Sequence, residues 1–195
     1  MKLLLFGGTF DPPHNGHIHL LQSAIQAVHP DKVVVMPAGV PPHKAASTTP
    51  GRLRLAMCQC FLPLHTDLEI SDWEIRQGGK NYTINTVQML EKAYPGAQIF
   101  LSVGSDMLTT FTEWKDWQSL LQKVVLVVQS RYPGDQANLA QAAKTLEQYR
   151  GRIVFADAPV MEIASSDVRA GRLSERVLPP LVRRIRRENH LYKEG

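Results

Sequence analysis

Two apolar runs flanking one helix-length stretch limit what the beginning of this chain can become. Lys2–Phe6 (KLLLF) and Lys32–Pro37 (KVVVMP) lack polar alternation, the pattern of strands buried on both faces. Between them, Gly16–His29 carries Ile18, Leu21, Ile25 and Val28 at helical spacing and is stopped by Pro30-Asp31. Strand, loop, helix and strand within 37 residues predict a βαβ unit. The alternation continues with a helix over Pro50–Leu62, extended chain over Leu68–Ile75, and a helix over Thr83–Tyr94 closed by Pro95-Gly96. Then come a strand at Gln98–Gly104, a helix over Glu113–Lys123, a strand at Val124–Gln129, a helix over Asn138–Arg150 and a strand at Arg152–Asp157. Two helices within 165–195 close the chain. The expected fold is α/β: a Rossmann-like, doubly wound parallel sheet with helices on both faces, one domain spanning 1–195.

Composition narrows the function classes. No apolar run approaches the roughly 18 residues of a membrane span, so no membrane partner is expected. Four apolar residues precede Gly7, short of the about 7–15 in a signal-peptide core. Cys58 and Cys60 are the only cysteines and point to different helix faces, against a disulfide framework, so a reducing, cytoplasmic setting is expected. The net charge of +4 concentrates from Arg169 onward, where eight Lys/Arg face three acids. That tail reads as a solvated helix face or as a nucleic-acid contact. Leu181, Val182, Ile185 and Leu191 can dock while Arg183, Arg184, Arg186 and Arg187 spread over the exterior, which favours a closing helix and no nucleic acid.

The loop after the first strand reads GGTFDPPHNGH, Gly7 to His17. Parallel sheets bind ligands at the carboxyl ends of their strands, and glycine-freed amides beside a helix start make an anion site. The spacing fits neither the dinucleotide G-x-G-x-x-G nor the P-loop G-x-x-x-x-G-K-[ST]. His14 and His17, three apart, can share one side and hydrogen-bond phosphate oxygens. They also supply two corners of a zinc site, with no third ligand at a customary spacing, or simply cap a helix. No metal held by the protein alone is expected.

HNGH (His14–His17) resembles the (H/T)-x-G-H signature of the nucleotidyltransferase superfamily, and IASSDVR (Ile163–Arg169) resembles its I-S-S-T-x-x-R signature. PPHK (Pro41–Lys44), YTINT (Tyr82–Thr86), VGSD (Val103–Asp106), TEWKDW (Thr112–Trp117) and LPPLVRRIRRENHLY (Leu178–Tyr192) extend the resemblance. Over nearly the whole chain it is similar to the bacterial nicotinate-nucleotide adenylyltransferases. Two departures stand out: Ala164 replaces a usual serine, and SRYPG around Arg131 is looser than the family's R-P-G.

The resemblance implies that ATP and nicotinate mononucleotide are joined into nicotinate adenine dinucleotide and pyrophosphate. It implies catalytic roles for His14, His17, Lys44 and Arg169. ATP would be bound by the amides of Gly8, Thr9 and Phe10, by both histidines, and by Gly104, Asp106, Ser165, Ser166 and Arg169. Asp106 is equally readable as a helix N-cap. Nicotinate mononucleotide would be met by His43, Lys44, Tyr82, Thr83, Trp114, Lys115 and Arg131. Trp114 offers a face to the pyridine ring and Trp117 reads as core, while Mg²⁺ would travel with ATP.

Rival readings are a related nucleotidyltransferase acting on nicotinamide mononucleotide, phosphopantetheine or a polyol phosphate. YTINT and TEWKDW argue against them. A class I aminoacyl-tRNA synthetase lacks room for a tRNA-reading domain in 195 residues. A homo-oligomer is compatible with the sequence.

Overall fold

The computed structural model describes residues 1–40, 49–129, 136–157 and 161–192. In chain order the elements are β1 (Lys2–Gly8), α1 (Asn15–Val28), β2 (Lys32–Pro37), α2 (Gly51–Cys58), β3 (Leu68–Ile70), α3 (Trp73–Gln77) and α4 (Thr83–Ala93). They continue with β4 (Gln98–Gly104), α5 (Ser105–Thr109), α6 (Trp117–Lys123), β5 (Val124–Gln129), α7 (Gln136–Glu147), β6 (Arg152–Phe155), α8 (Ser165–Arg169) and α9 (Pro180–Glu188). Short 3₁₀ turns cover Gln59–Leu64, Phe111–Glu113 and Glu175–Val177.

The six strands form one parallel sheet in the order β3-β2-β1-β4-β5-β6. The order reverses between β1 and β4, the switch point where a crevice opens. Alternate side chains of the central strands feed two cores. Leu3, Leu5, Val34, Leu101, Val103, Leu126 and Val128 pack against α4, α6 and α7 on one face. Leu4, Phe6, Val33, Val35, Phe100 and Val127 pack against α1 and Phe61 on the other. Both faces are covered, which is why these strands read as continuous apolar runs. A satellite core joins Met57 of α2, Val168 of α8 and Val182 and Ile185 of α9.

α1 starts from His14 in extended conformation and ends at His29, whose φ of 46° is left-handed, just before Pro30. Lys2 Nζ donates to the Val28 carbonyl at 2.9 Å, covering one of the acceptors a helix end leaves open. At the other end of the sheet, Ser102 Oγ donates to Gln129 Oε1 at 3.2 Å, and Gln129 Nε2 donates to the Leu20 carbonyl at 3.1 Å. This buried pair ties β4 and β5 to α1.

Two elements depart from expectation. A helix is expected over Glu113–Lys123, but Trp114 is extended and Asp116, with a left-handed φ of 51°, delays the start of α6 to Trp117. Extended chain was predicted over Leu68–Ile75, but β3 stops at Ile70 and Trp73 begins a helix. Ser71 N–H makes a last bond to the Val35 carbonyl at 2.9 Å, and Ser71 Oγ then accepts the Trp73 N–H at 3.3 Å, bending the chain. An Asp72–Arg76 pair at 3.0 Å supports the turn that follows. β3 makes a sixth, edge strand beside the five apolar ones.

α9 docks through Val182 and Ile185, which are buried. Arg187 is exposed, but Arg186, expected on the exterior, has a side chain only 13% exposed, and both reach Glu175. Among the described residues, no helix is long and apolar enough to cross a membrane.

Leu126, fully buried at the middle of β5, tests how tightly the first core is packed. Leu126→Ala should destabilise the fold by about 2–5 kcal/mol. A urea titration would read this as a lower midpoint with an unchanged slope.

Candidate nucleotide-binding site

The loop leaving β1 lies at the switch point and turns on Phe10, whose φ of 49° is left-handed. Its ring folds back beneath Gly8, where a Cβ would sit 2.8 Å from ring carbons. It packs on Phe6 and Phe61 at centroid distances of 5.6 and 5.3 Å. The other contact is His17, edge-on at 5.2 Å. Phe10 thus contributes a side-chain foundation for His17, while its main chain remains part of the loop.

His14 is the N-cap of α1, and its backbone N–H donates to Nδ1 of His17 at 3.2 Å. Glu or Gln usually makes this reciprocal cap bond. With Nδ1 an acceptor, the neutral ring of His17 carries its proton on Nε2, the donor a phosphate oxygen requires. The two imidazoles stack at 3.7 Å with their planes 29° apart. His14 is the inner ring, 2% exposed, and His17 is half-buried. Gly16 makes room for this stack, since a Cβ there would meet the His14 ring at 3.0 Å.

The second signature docks directly on this loop. Ser165 Oγ donates to the Pro12 carbonyl at 2.9 Å, and Arg169 Nη1 donates to the Asp11 carbonyl at 2.6 Å. Asn15 Nδ2 adds a bond to the Arg176 carbonyl at 3.1 Å. Asp11 precedes His14 by three residues, so Arg169 is held within about 10 Å of chain from the histidine pair. Ser165 uses its hydroxyl proton as a tie, while Ser166 is exposed on the same turn. Ala164 occupies the N-cap of α8. A serine there would cap the helix, a contribution of about 1 kcal/mol that alanine forgoes.

Across the switch point, Gly104 is the N-cap of α5 and Asp106 stands exposed in its first turn. The N-cap reading of Asp106 is therefore corrected: its carboxylate favours the helix N-terminus by charge, and Gly104 takes the cap position.

A second cluster gathers at the start of α4. Tyr82 is its N-cap and Thr83 its first residue, where helix geometry leaves N–H groups without intrahelical partners. Lys115 Nζ lies 4.6 Å from the centre of the Tyr82 ring, bringing TEWKDW onto YTINT. Trp114 is half-buried, 5.1 Å from Phe111 and leaning on the first core, so it is both packed and partly open. Trp117, half-buried like Trp114 and expected in the core, leans on the first core from its margin and packs edge-on against the exposed Tyr149 at 5.0 Å. His43, Lys44 and Arg131 lie outside the described residues.

Two charges beneath the site, Arg54 buried and Glu74 half-buried, have no counterpart in the sequence reading. Arg54 is 4% exposed, and its Nη1 donates to the Thr9 carbonyl at 2.9 Å and the Ala38 carbonyl at 2.7 Å, joining the loops after β1 and β2. Burial lowers its pKa, with Asp11 opposing that shift. Glu74 accepts from Thr86 Oγ1 at 2.6 Å and from the Gly39 N–H at 3.4 Å. Burial raises its pKa, and those hydrogen bonds hold it back. Gly39 must be glycine for close approach, because a Cβ would lie 2.4 Å from the Glu74 carbonyl. The available signal was helical phase: Arg54 shares a buried face with Met57 and Cys58.

Comparisons with known proteins follow the same lines. The family model described as cytidylyltransferase-like matches residues 5–171. A protein of Neisseria meningitidis named "Probable nicotinate-nucleotide adenylyltransferase" is 35% identical, covering 99% of both chains. One of the same name from Clostridium tetani is 35% identical over 86% of this chain and 85% of its own. The fold is also that of the Plasmodium falciparum nicotinic acid mononucleotide adenylyltransferase solved with NaAD. The TM-score is 0.80 at 14% identity, covering 100% of this chain and 98% of that one.

Gly16→Ala separates site geometry from stability. Alanine is the better helix former by about 0.5–1 kcal/mol, which offsets strain from displacing the His14 ring, so the melting temperature should stay within about 3 °C of wild type. Turnover should nevertheless fall, because the His14 ring must move to admit the methyl group. Glu74→Gln tests the half-buried carboxylate. An unfolded Glu74 ionises near its ordinary 4.5, whereas the folded one resists, so wild-type stability is shed as pH rises through the raised value. Urea midpoints between about pH 4 and 8 should therefore decline more in wild type than in the Gln variant.

Proposed function

The chain belongs to the cytidylyltransferase-like nucleotidyltransferases, in the group of nicotinate-nucleotide adenylyltransferases, and from that premise we propose that it joins ATP to nicotinate mononucleotide. The products are nicotinate adenine dinucleotide and pyrophosphate, a step in NAD biosynthesis. The observation that carries the reading is the docking of Arg169 and Ser165 onto the loop that holds the stacked histidines. An imidazole pair and a guanidinium meeting on one glycine-rich loop form a donor set for a polyphosphate.

An oxygen of the mononucleotide's 5′-phosphate attacks the α-phosphorus of ATP in line. The new O–P bond forms as the bond to the β-phosphate bridging oxygen breaks, and pyrophosphate leaves with the electron pair. No covalent enzyme intermediate is needed, so alignment and charge stabilisation supply the acceleration. His17, protonated at Nε2, donates to phosphate oxygens as charge moves toward the leaving group. Arg169 supplies a planar fork of donors, and Lys44 a point charge. The amides of Gly8, Thr9 and Phe10 extend the cradle with His14. Gly104, Asp106 and Ser166 would meet the nucleoside side and phosphates of ATP.

The acceptor lies toward α4. First-turn amides near Thr83, with the main chain at Lys115, suit the nicotinate carboxylate and meet the amide NH₂ of nicotinamide poorly. Tyr82 and Trp114 offer aromatic faces to the pyridine, with His43, Lys44 and Arg131 reaching its phosphate.

Donors dominate the loop, and Asp11 in it already accepts from the Tyr192 hydroxyl. That set fits Mg²⁺ carried on the ATP phosphates better than a protein-built cation cage. When bound, the cation neutralises phosphate charge. Both substrates are small nucleotides, which fits a protein acting without nucleic acid.

The decisive assay is pyrophosphate release from ATP with nicotinate mononucleotide, set against nicotinamide mononucleotide, phosphopantetheine and a polyol phosphate. Nicotinate mononucleotide should give the highest kcat/KM. His17→Ala should lower kcat by about 10²–10³, the usual effect of deleting one preorganised donor. A rate within twofold or so of wild type would remove His17 from the chemistry.

A further inference from the structure

We propose that Tyr192, near the end of the chain, is a positioning residue for nucleotidyl transfer: its phenol holds Asp11, and through Asp11 the loop that sets His14 and His17 against Arg169. The inference rests on the adenylyl-transfer reading above and extends its machinery to a residue that touches no reacting atom.

Asp11 is a carboxylate only 4% exposed, and a buried carboxylate needs hydrogen-bond partners. The Tyr192 hydroxyl donates to its Oδ1 from 181 positions away and accepts from Thr49 Oγ1 at 3.4 Å. The same residue's carbonyl receives Arg169 at 2.6 Å, and the next carbonyl, of Pro12, receives Ser165 at 2.9 Å. Asp11 is therefore gripped through its side chain by Tyr192 and through its main chain by Arg169. Remove the phenol oxygen, and the contribution of Tyr192 to that side-chain grip goes, while the bonds that Arg169 and Ser165 make to the loop stay in place.

The tail is built to deliver that hydroxyl. Arg186 Nη2 donates to the Tyr192 carbonyl at 3.2 Å, and the Leu191 N–H returns to the Arg186 carbonyl at 3.0 Å. His190 and Tyr192 take left-handed φ values of 50° and 54°, which side chains disfavour. Such conformations persist where surrounding contacts over-determine them. Burial, then the Asp11 hydrogen bond, push the phenol's pKa well up, so it remains a donor throughout the neutral range.

Tyr192→Phe keeps the ring and removes only the hydroxyl. In the full chain, kcat for pyrophosphate release should fall about 10-fold, with KM for both nucleotides within about twofold. The melting temperature should fall by about 3–10 °C, the loss of one hydrogen bond to a buried carboxylate, leaving the protein folded at assay temperature. Adding Tyr192→Phe to Asp11→Ala should cost less than about twofold further, because both changes cut one connection. Amide hydrogen exchange over residues 9–15 should quicken in Tyr192→Phe with ATP absent. An unchanged kcat, losses that multiply in the double variant, or unaltered exchange would overturn the proposal. Wild-type protein releasing no pyrophosphate would instead remove the transfer reading, and exchange would still decide whether Tyr192 holds the loop.

Discussion

The site depends on two loop carbonyls, those of Asp11 and Pro12, finding their donors more than 150 residues later. A loop that must approach a ligand cannot satisfy its main chain with its own secondary structure. Here a guanidinium and a hydroxyl from α8 take the place of a neighbouring strand. The loop after β1 is consequently incomplete as a local structure. Arg54 and the Phe10 packing set one part of its shape, and the rest is completed when the last part of the chain packs over α2 through Met57, Val168 and Val182. The satellite core is thus the means by which one half of the site is delivered to the other.

Within the loop, small residues and rings are matched. Gly8 admits the Phe10 ring and Gly16 admits the His14 ring, each at contact distance. Phe10 bears edge-on against His17, and His17 stacks on His14. The imidazoles are therefore positioned by packing as well as by the His14–His17 cap bond. A donor whose ring is already immobilised loses little entropy when phosphate arrives, which is the physical content of preorganisation.

Elements set by local pattern were legible in the sequence: the apolar strands, their intervening helices, and the two signatures with the histidines and Arg169. The extended reading failed at Ser71, where one side-chain acceptor redirected the chain and alternation alone could not distinguish strand from turn. Asp106 was misplaced by two positions relative to the helix cap, a shift that only cap geometry reveals. Arg54, Glu74 and Tyr192 were missed for a different reason. Each matters because of what lies beside it in space: carbonyls of two separate loops, a threonine on α4, and a carboxylate at the far end of the chain. Charge type and spacing along the sequence carry no record of such partners.

The arginines divide in a way that bears on phosphate binding. Arg169 and Arg54, at the loop, bond to carbonyl oxygens. Arg76, Arg172 and Arg187, exposed around the periphery, pair with carboxylates, while the largely buried Arg186 bonds both Glu175 and the Tyr192 carbonyl. A guanidinium held by a carbonyl is fixed in place by a dipole, although Asp11 and Glu74 still act on Arg54 through space. At about 4 Å and an effective dielectric near 20, a unit charge is worth about 4 kcal/mol to a phosphate oxygen before desolvation. Asp11, the carboxylate within the same loop, is turned to Tyr192 for its hydrogen bond, leaving the Arg169 contact to its carbonyl. Holding cations by dipoles at the centre and by acids at the rim concentrates positive field where a triphosphate would lie, without raising the net charge of the protein.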